Sequence, residues 1–275
     1  MKVYGVTSGK GGVGKTNLSA NLAIQFAQLG KRVLIFDADI GLANLDVILG
    51  CPSNWKLQHV LSREKTLAEV IQPGPGGIEF IAGGSGIESI IHLQGPAGEQ
   101  FLKDLDGLSS RYDILVFDTG AGIDDNVMTF LAASDEILLV VTPDPASMAD
   151  AYATAKAAYI TRPLATIKVV VNMVENEQQA RSVFNKLQAV VAQFLGKTMV
   201  YQGHVRMDVA AMSWIRQRKP YSLADPSLHA SQDVRNLAAS LLSEAPPSVT
   251  AAVAPIREFG LGERLRNMFL RRRTA

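Results

Sequence analysis

Six short runs of β-branched and other apolar residues punctuate the chain, at 2–7, 32–37, 113–118, 136–142, 166–172 and 199–204. Each has the length of a buried strand and is followed by a segment of helical length or period. Alternating strands and helices need crossover connections. The pattern therefore predicts an α/β fold, a single domain with a mostly parallel twisted sheet and helices on both faces. Ligands of such a sheet bind at the carboxyl ends of its strands. A weaker strand is expected over Gly77–Ala82, between Pro73-Gly74-Pro75-Gly76-Gly77 and Gly83-Gly84-Ser85-Gly86, which are loop signals. A last body helix is expected near Pro226–Ser243, and no internal repeat is visible.

The pattern changes after residue 243. Residues 244–256 are rich in Pro and Ala and carry no helical stripe, as in a semi-extended linker. In residues 257–275, Leu261, Leu265, Met268 and Phe269 share one helical face, with Arg264, Arg266 and Arg271 off it. Charge sharpens this division. The net charge of +1 conceals six Arg against two Glu in residues 257–275, leaving 21 basic and 24 acidic residues elsewhere. A basic amphipathic helix lies in the headgroup layer of an anionic membrane, where each Arg contributes about 1 kcal/mol. The alternative is a tail docked on the protein's own body or on a partner helix. Gly260 and Gly262 weaken the first turn, so a helix that forms on lipid is expected.

With 47% hydrophobic and 19% charged residues, the chain can bury a sizeable core. The near-neutral body argues against a globally basic nucleic-acid binder. A single cysteine, Cys51, excludes an intrachain disulfide framework and suits a reducing compartment. No secretory signal and no run of roughly 20 apolar residues is visible, so a cytoplasmic or peripheral protein is expected.

The chemistry concentrates at three strand ends. Gly9-Lys10-Gly11-Gly12-Val13-Gly14-Lys15-Thr16 matches G-x-x-x-x-G-K-[ST] between the first strand and an amphipathic helix, as a phosphate-binding P-loop requires. Its glycines let successive N–H groups, from Gly11 to Asn17, turn towards phosphate oxygens at a helix N-terminus. Lys15 would pair with the β- and γ-phosphates of ATP, and the Thr16 hydroxyl would ligate Mg²⁺. The second strand ends in Phe36-Asp37-Ala38-Asp39. Alternation points both carboxylates the same way, where carboxylates can hold Mg²⁺ through its waters and orient an attacking water. Asp113-Ile-Leu-Val-Phe-Asp118-Thr-Gly-Ala-Gly122 is an apolar strand ending in an aspartate and glycines, as in a Walker B segment with Asp118 facing Mg²⁺ through water.

K-G-G-x-G-K-T, with its extra lysine Lys10, resembles the deviant P-loop of the MinD/ParA class of ATPases, and the resemblance extends over residues 1 to about 243. It implies that Lys10 reaches across an ATP-held homodimer to the partner's nucleotide and that Asp39, in switch I, orients the attacking water while Asp37 stays near the metal. It further implies that residues 119–122 form switch II, that Asn172 hydrogen-bonds adenine and that Asp208 lies in a second adenine-contacting loop. That loop departs from the class's Pro-x-Asp pattern, reading Val205-Arg206-Met207-Asp208. Residues 118–123 and 142–152 look most like the flagellar branch, FlhG (FleN), beside cell-division MinD. The resemblance implies a membrane-associating ATPase switch that positions or numbers a cellular structure, with an activating protein partner. A ParA-like partitioning ATPase that coats DNA is the alternative.

Overall fold

The computed structural model describes residues 1–39, 43–84, 96–243 and 259–271, without the side chains of 96, 97 and 269–271. Strands β1 (Lys2–Ser8), β2 (Val33–Ala38), β3 (Gln72–Pro73), β4 (Glu79–Ile81), β5 (Ile114–Ala121), β6 (Glu136–Val141), β7 (Ile167–Val174) and β8 (Val200–Arg206) form one sheet. Their order is β3-β4-β2-β5-β1-β6-β7-β8, and the only antiparallel pair is β3 with β4. The weaker strand expected near residue 80 is the short β4, next to β2.

The helices are α1 (Lys15–Gln28), α2 (Leu45–Leu49), α3 (Leu57–Leu61), α4 (Leu67–Val70), α5 (Pro96–Arg111), α6 (Asp125–Ala133), α7 (Pro145–Thr161), α8 (Glu177–Leu195), α9 (Val209–Arg216), α10 (Tyr221–Ala224), α11 (His229–Ser243) and α12 (Leu261–Arg271). The period of two along each strand divides the core between the sheet's faces. Tyr4, Val6, Val33, Ile35, Val116, Leu138 and Val170 pack under α1 and α11. Val3, Leu34, Phe36, Leu115 and Phe117 face α5 and α6 on the other side, and Ile137, Leu139, Val169 and Val171 face α7 and α8. Coverage on both sides explains why β2 and β6 are apolar over most of their length and buried throughout. The central strands β2, β5 and β1 carry their carboxyl ends to one edge, with Asp37 opposite Asp118 in the ladder.

The C-terminal helix departs from expectation. Instead of presenting its apolar face outwards, α12 lies against α5 and α6. Leu261 and Leu265 are buried in the α5/α6 side of the core, and Met268 is half-buried. Arg264, expected to face lipid headgroups, is also buried. Its guanidinium donates to Asp135 Oδ1 at 3.1 Å, to the Ala133 carbonyl at the C-terminus of α6 at 3.2 Å, and from Nε to the Phe259 carbonyl at 3.0 Å. The body supplies what the helix needs: an apolar trough, a carboxylate and an unpaired helix-end carbonyl. The two glycines, expected to loosen the first turn, allow close approach. A Cβ on Gly262 would stand 2.0 Å from the Leu102 carbonyl oxygen, and one on Gly260 would stand 2.1 Å from Asp106 Oδ1. The Gly262 N–H donates to that carboxylate at 2.7 Å. The side chains of Phe269 and Arg271, and the linker 244–256, lie outside the described residues.

Candidate functional site

The loop between β1 and α1 forms the floor of a cleft of about 620 Å³ at the carboxyl edge of the sheet. Gly12 and Gly14 adopt left-handed φ values of 80° and 84°, which few other residues tolerate. Gly14 is the N-cap of α1, and no side chain there bonds the helix's first N–H groups. Those donors and the positive end of the helix are therefore left for an anion. Gly11, Gly12, Gly14, Lys15, Thr16 and Asn17 all line the cleft. The Val13 side chain is in the core instead, and its carbonyl accepts from Asn172 Nδ2 at 2.8 Å.

Asp118 sits beneath this loop, fully buried. Its Oδ1 accepts from Ser19 Oγ at 2.9 Å and from Lys15 Nζ at 3.3 Å, while Oδ2 is buried and, among the described residues, has no hydrogen-bond partner. Asp37, on the adjacent strand, accepts N–H bonds from Asp39 at 3.1 Å and Leu45 at 3.2 Å, so it also fastens the start of α2. Burial raises the pKa of Asp118 despite Lys15, Thr16 and Ser19. Burial, then the neighbouring Asp118, pushes Asp37 up to about 7. Two buried carboxylates, one with an orphaned oxygen, beside the Thr16 hydroxyl form a donor set that fits a hard divalent cation such as Mg²⁺. Thr16 and Asp118 would hold it, directly or through water, with Asp37 near it; when bound it would supply positive charge beside the phosphates.

The Asp37 shift has a measurable consequence in the metal-free protein. Its folded-state pKa lies above the unfolded one, so the folded state binds the extra proton between about pH 4 and 7 and loses stability as pH rises through that window. In EDTA, Asp37→Asn is expected to gain on the wild type from pH 4 to pH 7, by up to roughly 4 kcal/mol at 1.36 kcal/mol per unit. Urea unfolding at several pH values measures this, and parallel curves would remove Asp37 as the cause.

Lys10 lines the same cleft but is turned back onto its own chain. Its Nζ meets Asp144 Oδ2, beside the N-terminus of α7, at 2.5 Å, and this hydrogen bond raises the lysine pKa. Asp39 lines the cleft next to residues 119–122; a Cβ on Gly120 would lie 3.5 Å from its Oδ1. This segment is pinned to β1, with Gly122 N–H donating to the Ser8 carbonyl at 2.9 Å and Thr119 Oγ1 to that of Val6 at 3.0 Å. A smaller cavity continues from the cleft, lined by Asn172, Val205, Asp208 and Tyr221 among others. Asn172 lines this cavity, and its amide is bonded to the P-loop. Asp208 caps α9, accepting from Ala210 and Ala211 N–H at 3.0 and 3.2 Å, so its role at the rim is local as well.

Sequence reasoning missed two members of the site. Ser19 follows Lys15 by one helical turn, a spacing that could have flagged it. Asp144 is distant in sequence and is brought to Lys10 by the adjacency of β1 and β6.

A parallel sheet whose central strand feeds a glycine cradle with lysine, hydroxyl and buried carboxylates defines a P-loop nucleotide-binding protein. The chain matches the ParA family model, described as "NUBPL iron-transfer P-loop NTPase", over residues 1–242. It is 38% identical to the antiactivator FleN of Pseudomonas aeruginosa over 231 residues, 84% of this chain and 82% of that protein. It is 36% identical to the flagellum site-determining protein YlxH of Helicobacter pylori, over 88% of this chain and 82% of that one. Among solved structures, the MinC:MinD cell division protein complex of Aquifex aeolicus superposes with a TM-score of 0.72 at 26% identity, covering 92% of this chain and all of that one. The septum site-determining protein MinD complexed with Mg-ADP, from Pyrococcus horikoshii, shares the fold with a TM-score of 0.72 at 20% identity, over 88% and 96% of the two chains. The chain belongs to the ParA family of P-loop ATPases. The similarity to FleN and YlxH agrees with the flagellar-branch features of residues 118–123 and 142–152. The iron-transfer wording of the family description has no cysteine pair to act on, because Cys51 is the chain's one cysteine.

Proposed function

We propose that this protein is an ATP-gated switch whose Mg²⁺-dependent ATP binding drives face-to-face dimerisation and attachment to an anionic membrane, and whose hydrolysis, stimulated by a partner protein, releases it. The process it serves is the number or placement of a cellular structure, as the site-determining names of YlxH and MinD suggest for those relatives. The observation that carries this reading is the open cleft, which brings Lys10, Lys15, Thr16 and Asp39 together over the buried Asp37 and Asp118. Lys15 and the P-loop amides bind and orient the phosphates, and Asp39 holds the attacking water. Lys10 leaves Asp144 for the nucleotide of the second copy. For the tail to reach lipid, α12 must leave the α5/α6 trough, so the docked helix supports an off state of the same switch. Joining two released tails in a dimer makes the second insertion intramolecular and raises apparent affinity by on the order of 100-fold.

Asp39→Ala is expected to bind ATP and dimerise while releasing phosphate at least about 100-fold more slowly, the lower end of the range for a lost acid–base group. Phosphate release and sedimentation of the same preparation separate the two effects, and wild-type turnover by Asp39→Ala would remove Asp39 from this role. ATP-dependent binding to DNA without binding to anionic liposomes would favour a ParA-like partitioning function instead.

A further inference from the structure

Three cations line the cleft, and two are neutralised within the chain: Lys15 by Asp118 and Lys10 by Asp144. The third is Arg216, the last residue of α9. Its side chain is exposed and, among the described residues, has no ion-pair or hydrogen-bond partner. Its position is set by the body. Asp208 caps the N-terminus of α9 at the base cavity, and beyond its C-terminus the Arg218 carbonyl abuts Gly50 after α2, where a Cβ would come within 2.5 Å. Helix α9 therefore runs from the base end of the site towards switch I.

The surroundings of Arg216 identify what it faces. Asn17, Met212 and Ile215 line both the phosphate cleft and the adjoining base cavity, so they mark the junction between them. Arg216 follows Ile215 and lines the cleft side of that junction. In a nucleotide with its β- and γ-phosphates over the P-loop and its base near Asn172, that junction holds the ribose and the α-phosphate. A guanidinium presents several N–H donors in a planar fork suited to phosphate oxygens, and a free one at a helix C-terminus has lost no partner there.

We propose that Arg216 is a further nucleotide-binding residue, contacting the α-phosphate of the nucleotide in its own protomer. The proposal rests on the nucleotide-site reading above and adds a contact outside the P-loop and switch motifs. Sequence inspection passes over it, since Arg216 lies in a basic stretch, Arg216-Gln-Arg-Lys219, that reads as solvated surface.

The test is equilibrium binding of a fluorescent ADP analogue to the full chain in EDTA, so that no metal contributes. Arg216→Ala is expected to raise Kd about 10-fold, the loss of one charge-assisted hydrogen bond. Arg216→Lys should recover part of the affinity and Arg216→Glu should bind more weakly than Arg216→Ala. Because the side chain is exposed, the variants should melt like the wild type. Wild-type affinity in both Arg216→Ala and Arg216→Glu would overturn the proposal. So would unchanged ADP affinity with slowed phosphate release, which would place Arg216 against the second copy. If the wild type itself fails to bind the analogue, the nucleotide-site reading fails and the proposal with it; wild-type binding abolished by Lys15→Ala but untouched by Arg216→Ala would sink this proposal alone.

Discussion

Lys15→Ala is expected to lower ATP affinity by at least about 100-fold and also to lower thermal stability. The first effect follows from loss of the charge-assisted bonds a P-loop lysine makes to the β- and γ-phosphates, each worth roughly 1.5–3 kcal/mol. The second follows from Asp118. Lys15 and Asp118 are both buried, 3.3 Å apart, and Asp118 Oδ2 already lacks a hydrogen-bond partner. Removing the ammonium leaves the carboxylate's remaining support to neutral hydroxyls, and breaking a buried pair costs on the order of 3–5 kcal/mol, less where the carboxyl takes up a proton. Adding Asp118→Asn should recover much of the melting temperature, because an amide tolerates burial without a cation, but should not restore binding. Isothermal titration and thermal melts on the single and double variants check both halves. A double variant as unstable as Lys15→Ala would contradict the buried-charge explanation.

Gly262→Ala is expected to undock the C-terminal helix and to raise membrane binding without nucleotide by at least about 10-fold. The added methyl would stand 2.0 Å from the Leu102 backbone oxygen, which cannot rotate away as a side chain could. Seating α12 buries Leu261 and Leu265 in the trough, worth roughly 1.5–3 kcal/mol each, and Arg264 against Asp135 and Ala133. Losing even 1.4 kcal/mol of this shifts the docked equilibrium tenfold. Alanine also favours helix over glycine by about 1 kcal/mol, so on lipid the variant helix is the more stable one. The two consequences therefore act in the same direction. Liposome flotation of Gly262→Ala and wild type in ADP measures the effect, and equal binding would show that docking does not limit access to lipid.

The sheet and the phosphate cradle were legible in the sequence because each depends on short-range patterns. Apolar runs such as Ile114–Phe117 mark strands covered on both faces, and Gly12 and Gly14 mark backbone angles that a phosphate loop needs. Asp37 and Asp118 were found for the same reason, since a polar residue following a buried apolar run stands out. What escaped detection depends on contacts between distant segments. The amphipathic pattern of residues 261–269 specifies a helix that must bury one face, but lipid and an α5/α6 trough satisfy that demand equally. Only the fold shows Arg264 donating to the Ala133 carbonyl and to Asp135, which also accepts from the Val3 N–H. Lys10 was readable as a special lysine, whereas its Asp144 partner, 134 residues away, was not. Asn172 and Asp208 line the smaller cavity beside the cleft, and each also holds local backbone, Val13 for one and the first turn of α9 for the other.

The tail and the cleft are linked through α6. Its N-terminal residues Asp124, Asn126 and Val127 line the cleft directly after switch II, and its C-terminal Ala133 carbonyl receives Arg264. Rearrangement of switch II around a γ-phosphate would thus move the element that holds the docked helix. An order or position change in such a segment is a common output of nucleoside triphosphatases.

Co-sedimentation with anionic liposomes in ATP and in ADP, for the full chain and for a chain ending at residue 256, tests the central claim most directly. An ATP-gated membrane switch predicts pelleting of the full chain in ATP, little in ADP and none without residues 257–275. Equal pelleting in both nucleotides, or pelleting that survives removal of the tail, would contradict it.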